Sequence, residues 1–143
     1  IGIDELWEVR RVLELAFIGK AVNAIGETDL QELDELVAAM EEAQGDGNSP
    51  LIVGLRVHQV IYRCLNNRVL TSLMDAIAEF YARVWSLIRE PLTPAELARD
   101  VTIHRELVAA LRRRDASGAR AVLTKELSVS PSSYTRDQSK PEP

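Results

Sequence analysis

The spacing of the apolar residues constrains the fold of this chain more than any other feature. Apolar side chains recur every three or four positions nearly throughout the sequence, and no alternation with a period of two persists. The first spacing places side chains on one face of an α-helix, whereas a half-buried strand requires the second. Glycine and proline fall mainly between the periodic segments, where helices begin and end. The sequence therefore predicts an all-α fold, an antiparallel bundle of about six helices.

The predicted helices cover roughly residues 3–24, 29–43, 50–65, 66–89, 94–113 and 116–127. Ser49 before Pro50, the Thr93-Pro94-Ala95-Glu96 capping box and Asp115 mark three of the helix starts. The first helix is apolar on more than one side, so one face is expected in the core and another against a second subunit. Residues 1–128 are predicted to form one domain. Residues 129–143 bury too little apolar surface to offset their ordering entropy and are predicted to form a flexible tail.

Composition excludes several classes of protein. The chain has 143 residues and a net charge of −5, so it lacks the clustered basic face of a nucleic-acid-binding domain. No run of about 18 apolar residues occurs, so no membrane span is expected. The single cysteine, Cys64, excludes an internal disulfide and indicates a cytoplasmic protein. The chain starts without Met or a signal pattern, which suggests a fragment of a longer protein.

The two histidines lie on apolar helix faces. His58 is in the third predicted helix, and His104 lies between Val101 and Val108 on a stripe of the fifth. A histidine in such a place is commonly a core residue with its hydrogen bonds satisfied. The alternative is a metal or anion site, because neutral imidazole is a frequent ligand of divalent metals. No H-E-x-x-H motif or cysteine pair strengthens the metal interpretation, so both remain open.

Arg10 lies inside an apolar stripe of the first helix, an unusual place for a guanidinium. It either pairs with Glu14 one turn later or projects into a pocket and holds a carboxylate in a bidentate pair. Glu126, at the inward edge of the sixth helix, is either an exposed helix-end acid or a pocket residue. No nucleophile–base pair, phosphate-binding glycine loop or paired-carboxylate motif is present, so the sequence does not predict an enzyme.

Three segments resemble the FCD domain, the C-terminal effector-binding domain of FadR-subfamily GntR transcriptional regulators. Residues 10–14 resemble the family pattern R-x-x-L-E. Residues 57–70 resemble F-H-x-x-I…S-x-N-x-x-L, with Val57 for Phe and Leu65 for Ser. Residues 103–119 resemble E-H-x-x-I-x-x-A-I…R-D…A.

The resemblance implies a central ligand cavity among the helices. Many members hold a divalent metal there with an Asp and three His, and the metal together with arginines binds a small carboxylate. Two of the family's three histidine positions are occupied by histidine in this sequence, at His58 and His104. The family's Asp position corresponds to Gly54, and its last His position corresponds to Glu126. The resemblance thus implies Arg10, His58 and His104 as effector-binding residues. It implies His58, His104 and Glu126 as ligands of zinc or nickel, with a metal-free pocket as the alternative.

The function predicted on this basis is ligand sensing and homodimerisation in a bacterial GntR-family regulator. A small carboxylate would modulate DNA binding through an N-terminal winged-helix domain that this chain does not contain. Two alternatives remain: a structural helical dimerisation module, or a metal-dependent enzyme that uses His58, His104 and Glu126.

Overall fold

The computed structural model describes residues 2–43, 49–88 and 92–129. They form α1 (Ile3–Ala24), α2 (Glu27–Glu42), α3 (Ser49–Arg63), α4 (Arg68–Ile88), α5 (Pro94–Arg112) and α6 (Ala116–Glu126). Within these ranges all regular structure is helical and no strand occurs. The predicted all-α bundle is confirmed, and the predicted helix ends agree with the observed ones to within two residues.

Local capping contacts set several of the helix starts. Thr93 accepts a hydrogen bond from the Glu96 backbone N–H, and the Thr93 N–H donates to the Glu96 carboxylate, which confirms the capping box. Asn67 Oδ1 accepts from the Leu70 N–H at 3.0 Å, and Asp115 Oδ1 accepts from the Gly118 N–H at 2.9 Å. These side chains satisfy backbone donors that a helix N-terminus otherwise leaves unpaired.

Two helices begin earlier than predicted. Ser49, expected to cap α3 from outside, is its first helical residue. Helix α2 begins at Glu27 rather than near Asp29, and Gly26 precedes it without a side-chain cap. Glu27 and Asp29 both lie in the first turn of α2, where their negative charge stabilises the helix N-terminus.

Helix α3 is the centre of the bundle, since it packs against α1, α2, α4 and α5. Helix α2 also packs on α5, and α6 packs on α1 and α5. The largest fully buried apolar side chains come from all six helices or the residues directly following them, and they include Ile18, Leu33, Ile61, Tyr62, Tyr81, Leu107, Leu111 and Leu123. This packing turns the inner faces of α1, α3, α5 and α6 toward one another, and these faces carry the polar residues described below.

Helix α1 is apolar on two sides, as predicted. Its inner side buries Ile18 and Val22, whereas Val9 and Val12 are 52% and 64% exposed. None of the helices in the described ranges has the length and apolar character needed to cross a bilayer. Residues 130–143, nearly all of the predicted tail, lie outside the described residues.

Candidate functional site

Five polar side chains from four helices meet inside the bundle, and we call them the buried polar cluster: Arg10 and Glu14 of α1, His58 of α3, His104 of α5 and Glu126 of α6. Arg10, Glu14, His58 and His104 are each at most 5% exposed, and the Glu126 side chain is 10% exposed. The structure therefore brings together every site residue predicted from the sequence, and it adds Glu14. Glu126 points inward and is not a solvated helix-end acid.

Glu14 joins two cations with the two oxygens of one carboxylate. Its Oε2 accepts a hydrogen bond from Arg10 Nε at 2.7 Å, and its Oε1 accepts one from His58 Nδ1. The first contact follows from the spacing of four residues along α1, so the sequence could indicate it. The second joins residues 44 apart in the chain and depends on how α1 packs against α3. No local signal in the sequence pointed to it.

His58 lies between two carboxylates. Its Nδ1 faces Glu14, and its Nε2 lies 2.8 Å from Glu126 Oε1. Ionised carboxylates only accept hydrogen bonds, so hydrogen bonds to both of them require a proton on each ring nitrogen, whereas a metal bound at Nε2 would replace one of these protons. Burial alone would lower the pKa of His58, but the charges of Glu126 and Glu14 outweigh it and the pKa is raised. Similarly, burial would raise the pKa of Glu126, but His58 and His104 hold that pKa well below its usual range.

His104 is oriented by its own helix. Its Nδ1 donates to the backbone carbonyl of Asp100 at 2.8 Å, one turn earlier on α5. Its Nε2 lies 3.2 Å from Glu126 Oε1, at ion-pair distance but without hydrogen-bond alignment. Burial would lower the pKa of His104, but Glu126 and Asp100 together raise it to about 9. The two imidazole rings meet edge to face, with centroids 5.3 Å apart.

Arg10 lies between two aromatic rings. Its guanidinium carbon is 5.2 Å from the centroid of Trp7 and 5.7 Å from that of Tyr81, within range of cation–π attraction. The Arg10 Nε donates its hydrogen bond to Glu14, and the two terminal nitrogens of the guanidinium donate none to the described residues. Arg10 therefore pairs with Glu14 and also lines a pocket, while its binding of a carboxylate there stays a prediction.

A pocket of about 110 Å³ lies beside the buried polar cluster. Its walls include Arg10, Gly54, Asp100, His104 and Glu126, and the Trp7 and Tyr81 rings next to Arg10 complete one side. His58 does not line the pocket, since it is packed behind it between Glu14 and Glu126. Of the predicted effector-binding residues, Arg10 and His104 are thus in reach of a bound ligand. Asp100 was not predicted, although an acid one turn before a histidine is visible in the sequence.

Three buried atoms around this pocket have no hydrogen-bond partner among the described residues: Asp100 Oδ2, His104 Nε2 and Glu126 Oε2. Leaving such an atom unpaired costs about 1–3 kcal/mol, and folded proteins leave few of them. Three in one place indicate a polar site whose further partner is a water molecule, an ion or a ligand.

The donor set fits a divalent metal. His58, His104 and Glu126 can each offer one ligand atom, and these atoms lie within 4.8 Å of one another. The Nδ1 atoms of the two rings are held by Glu14 and by the Asp100 carbonyl, which is how metal-binding histidines are usually oriented. Gly54 faces the same place, because a Cβ built on it would lie 3.1 Å from His104 Nε2, but it supplies no ligand atom.

We expect the charge of Glu14 to be essential for stability. Replacing it by Gln keeps the shape but leaves Arg10 and His58 buried without their shared anion. Breaking a buried ion pair typically costs about 3–5 kcal/mol, so Glu14→Gln should lower the free energy of unfolding by that amount in urea denaturation.

Glu79→Gln is the matched control for this measurement. Glu79 pairs with Arg83 on the surface of α4 and is 64% exposed, so its loss should change stability by less than about 1 kcal/mol. Equal effects of the two substitutions would contradict the role assigned to Glu14.

Comparison with known proteins places this fold and site in a family. Residues 5–128 match the FCD domain. The HTH-type transcriptional regulator McbR of Escherichia coli (strain K12) is 28% identical over 123 residues, which cover 85% of this chain and 56% of McbR. The solved structure of E. coli McbR/YncC superposes with a TM-score of 0.75, covering 87% of this chain and 60% of that one.

A more distant structure shows the same fold. Streptococcus agalactiae GntR has a TM-score of 0.69 at 20% identity, and the similarity covers 88% of this chain and 56% of that one. The chain therefore spans little more than half the length of the relatives that it matches. The match over residues 5–128 includes α1 from residue 5 onward, all of α2 to α6 and all five residues of the buried polar cluster, and the chain belongs to the FCD domain family.

Proposed function

We propose that the chain is the effector-binding and dimerisation domain of a cytoplasmic GntR-family transcriptional regulator of the FadR subfamily. It binds a small carboxylate in the pocket beside the buried polar cluster. Membership of the FCD family and a transcriptional regulator among its relatives support this proposal. The observation that carries it is the arrangement of Arg10.

Arg10 is prepared to hold a carboxylate. Glu14 fixes its Nε, Trp7 and Tyr81 flank the guanidinium, and the terminal nitrogens remain available to a ligand in the pocket. A planar guanidinium held in this way matches the two oxygens of a carboxylate, and little side-chain entropy remains to be lost on binding. Arg99, which is exposed, lines the same pocket and adds a second positive charge.

Ligand binding in this site acts by shifting a conformational equilibrium, without turnover. A ligand that contacts α1 through Arg10 and α5 through His104 favours the packing in which those contacts form best. The relative placement of two domains in a dimer, and hence the operator affinity of attached DNA-binding domains, changes with that packing.

A divalent metal, zinc or nickel, is part of the proposal. His58, His104 and Glu126 would hold it, while Glu14 and the Asp100 carbonyl keep the two rings in place. Bound there, the metal would supply positive charge close to the carboxylate of the effector.

The dimer is proposed to form through the outer faces of α1 and α4. Val9 and Val12 on α1 and Val69 and Leu73 on α4 are between 43% and 70% exposed, and the two helices contact each other. Val69, Leu73 and Ala76 recur at helical spacing, so α4 presents a continuous apolar row. Such a row on adjacent helices is typical of a surface that a second copy covers.

Carboxylate binding is tested by thermal shift and calorimetry with small mono- and dicarboxylic acids. A ligand that binds only the folded state raises the melting temperature. We expect Arg10→Lys, which keeps the charge but loses the planar fork, to weaken binding at least about tenfold. Arg113→Lys, an exposed change at the far end of α5, should bind as wild type. The proposal fails if no acid shifts the melting temperature or if Arg10→Lys binds normally.

Metal binding is tested by elemental analysis of untagged protein purified without chelator. We expect a stoichiometric amount of zinc or nickel in the wild type and less than about a tenth of it in His104→Gln, because a third of the protein ligands is lost. Glu41→Gln, on the surface of α2, should retain the metal. Equal metal content in the wild type and His104→Gln would remove His104 from the site.

Dimerisation is tested by light scattering coupled to gel filtration. The wild type should have twice the chain mass of 15.9 kDa, and Leu73→Glu should be monomeric because it places a charge in the apolar row. Ala98→Glu adds the same charge at an exposed position of α5 and should remain dimeric. A monomeric wild type at micromolar concentration would contradict the interface.

A further inference from the structure

We propose that the effector is a zwitterion: besides its carboxylate it carries a primary ammonium group, which Asp100 and Glu126 bind. This inference rests on the proposed carboxylate site and extends it from small acids in general to small amino acids. It follows from two carboxylates of the pocket wall, each of which has an oxygen that accepts no hydrogen bond from the described residues.

Asp100 is the first of these acceptors. Its side chain is 21% exposed and lines the pocket, and its Oδ2 is fully buried. The neighbouring His104 directs its Nδ1 proton to the Asp100 backbone oxygen at 2.8 Å and lies 3.6 Å from the side-chain Oδ1. The carboxylate therefore accepts no hydrogen bond from the described residues, whereas buried carboxylates are normally paired.

Glu126 is the second acceptor in the pocket wall. Its Oε1 is shared by the two histidines, and its Oε2 is buried without a hydrogen-bond partner among the described residues. Asp100 and Glu126 line the same pocket from α5 and α6. A hydroxyl group supplies a single proton, but an ammonium group supplies three donors and a compensating positive charge. An ammonium group therefore suits a pocket wall that carries two carboxylates.

The remaining walls favour a ligand that carries both charges. Arg10 and Arg99 provide guanidinium groups for a carboxylate in the same pocket. A plain acid would place its negative charge near Asp100 and Glu126 and leave both oxygens unpaired, which disfavours it against an amino acid of the same skeleton. Asp100 lies outside the group that fits a metal, so its role does not depend on metal occupancy.

The size of the pocket limits the ligand. A cavity of about 150 Å³ takes up benzene, so a pocket of about 110 Å³ suits a ligand of a few heavy atoms. Gly54 helps to provide this room, because a Cβ at that position would lie 3.1 Å from His104 Nε2 and 3.5 Å from Met40 Cε.

The test uses matched ligands on the unmodified chain. For skeletons of two to six carbons, calorimetry compares the 2-amino acid, the 2-hydroxy acid and the unsubstituted acid, for example alanine, lactate and propionate. We expect at least one skeleton whose amino acid binds about tenfold tighter than its two counterparts. Asp100→Asn should remove that preference, because the amino acid loses an acceptor for its ammonium group and the unsubstituted acid no longer meets the Asp100 charge. Asp75→Asn on exposed α4 should keep the preference.

The outcomes separate this inference from the carboxylate proposal. If unsubstituted or hydroxy acids bind as tightly as every amino acid, or if Asp100→Asn keeps the preference, the ammonium site is wrong and the carboxylate site stands. If no acid of any kind binds, both fail. The comparison among ligands requires no substitution, so it decides the inference even where Asp100→Asn fails to fold.

Discussion

The Glu14 carboxylate lies between the Arg10 guanidinium and the His58 ring at a position with no solvent exposure. Burying these charges separately would be prohibitive, so the fold depends on their being buried together. The contact from α1 to His58 ties the first helix to the central one. From His58 the contacts continue to Glu126 on α6 and to His104 on α5. One alternating row of charges thus sets the mutual positions of four helices, and a small shift of any of them separates opposite charges.

The order of side chains along this row determines which of them can reach the pocket. Basic and acidic side chains alternate from Arg10 to His104, and basic side chains occupy both ends. The two ends, Arg10 and His104, line the pocket, whereas the central His58 does not. An anion in the pocket can therefore reach Arg10 at one end of the row, whereas Glu126 and Asp100 accompany His104 at the other. Asp100 lies beside His104 and adds a carboxylate to that side of the pocket.

The parts of this structure that depend on local chemistry could be predicted from the sequence. Helix ends follow from capping side chains and from the spacing of buried residues, and they were predicted to within two residues. Arg10, His58 and His104 could be identified because each interrupts an apolar stripe. The contact between Glu14 and His58 could not be predicted, since it depends on the packing of α1 against α3. For the same reason the sequence could not show that His58 lies behind the pocket, or that the buried oxygen of Asp100 has no donor among the described residues.

Gly54 has a consequence for the central helix itself. A glycine inside a helix destabilises it by roughly 0.5–1 kcal/mol relative to alanine, and Gly54 lies in the interior of α3. Alanine would not simply recover that stability, because its methyl group would press on the His104 ring. The turn of α3 that borders the pocket therefore has low intrinsic helicity, although it belongs to the helix against which α1, α2, α4 and α5 pack. A molecule that fills the pocket therefore also packs against this turn of the central helix and stabilises it.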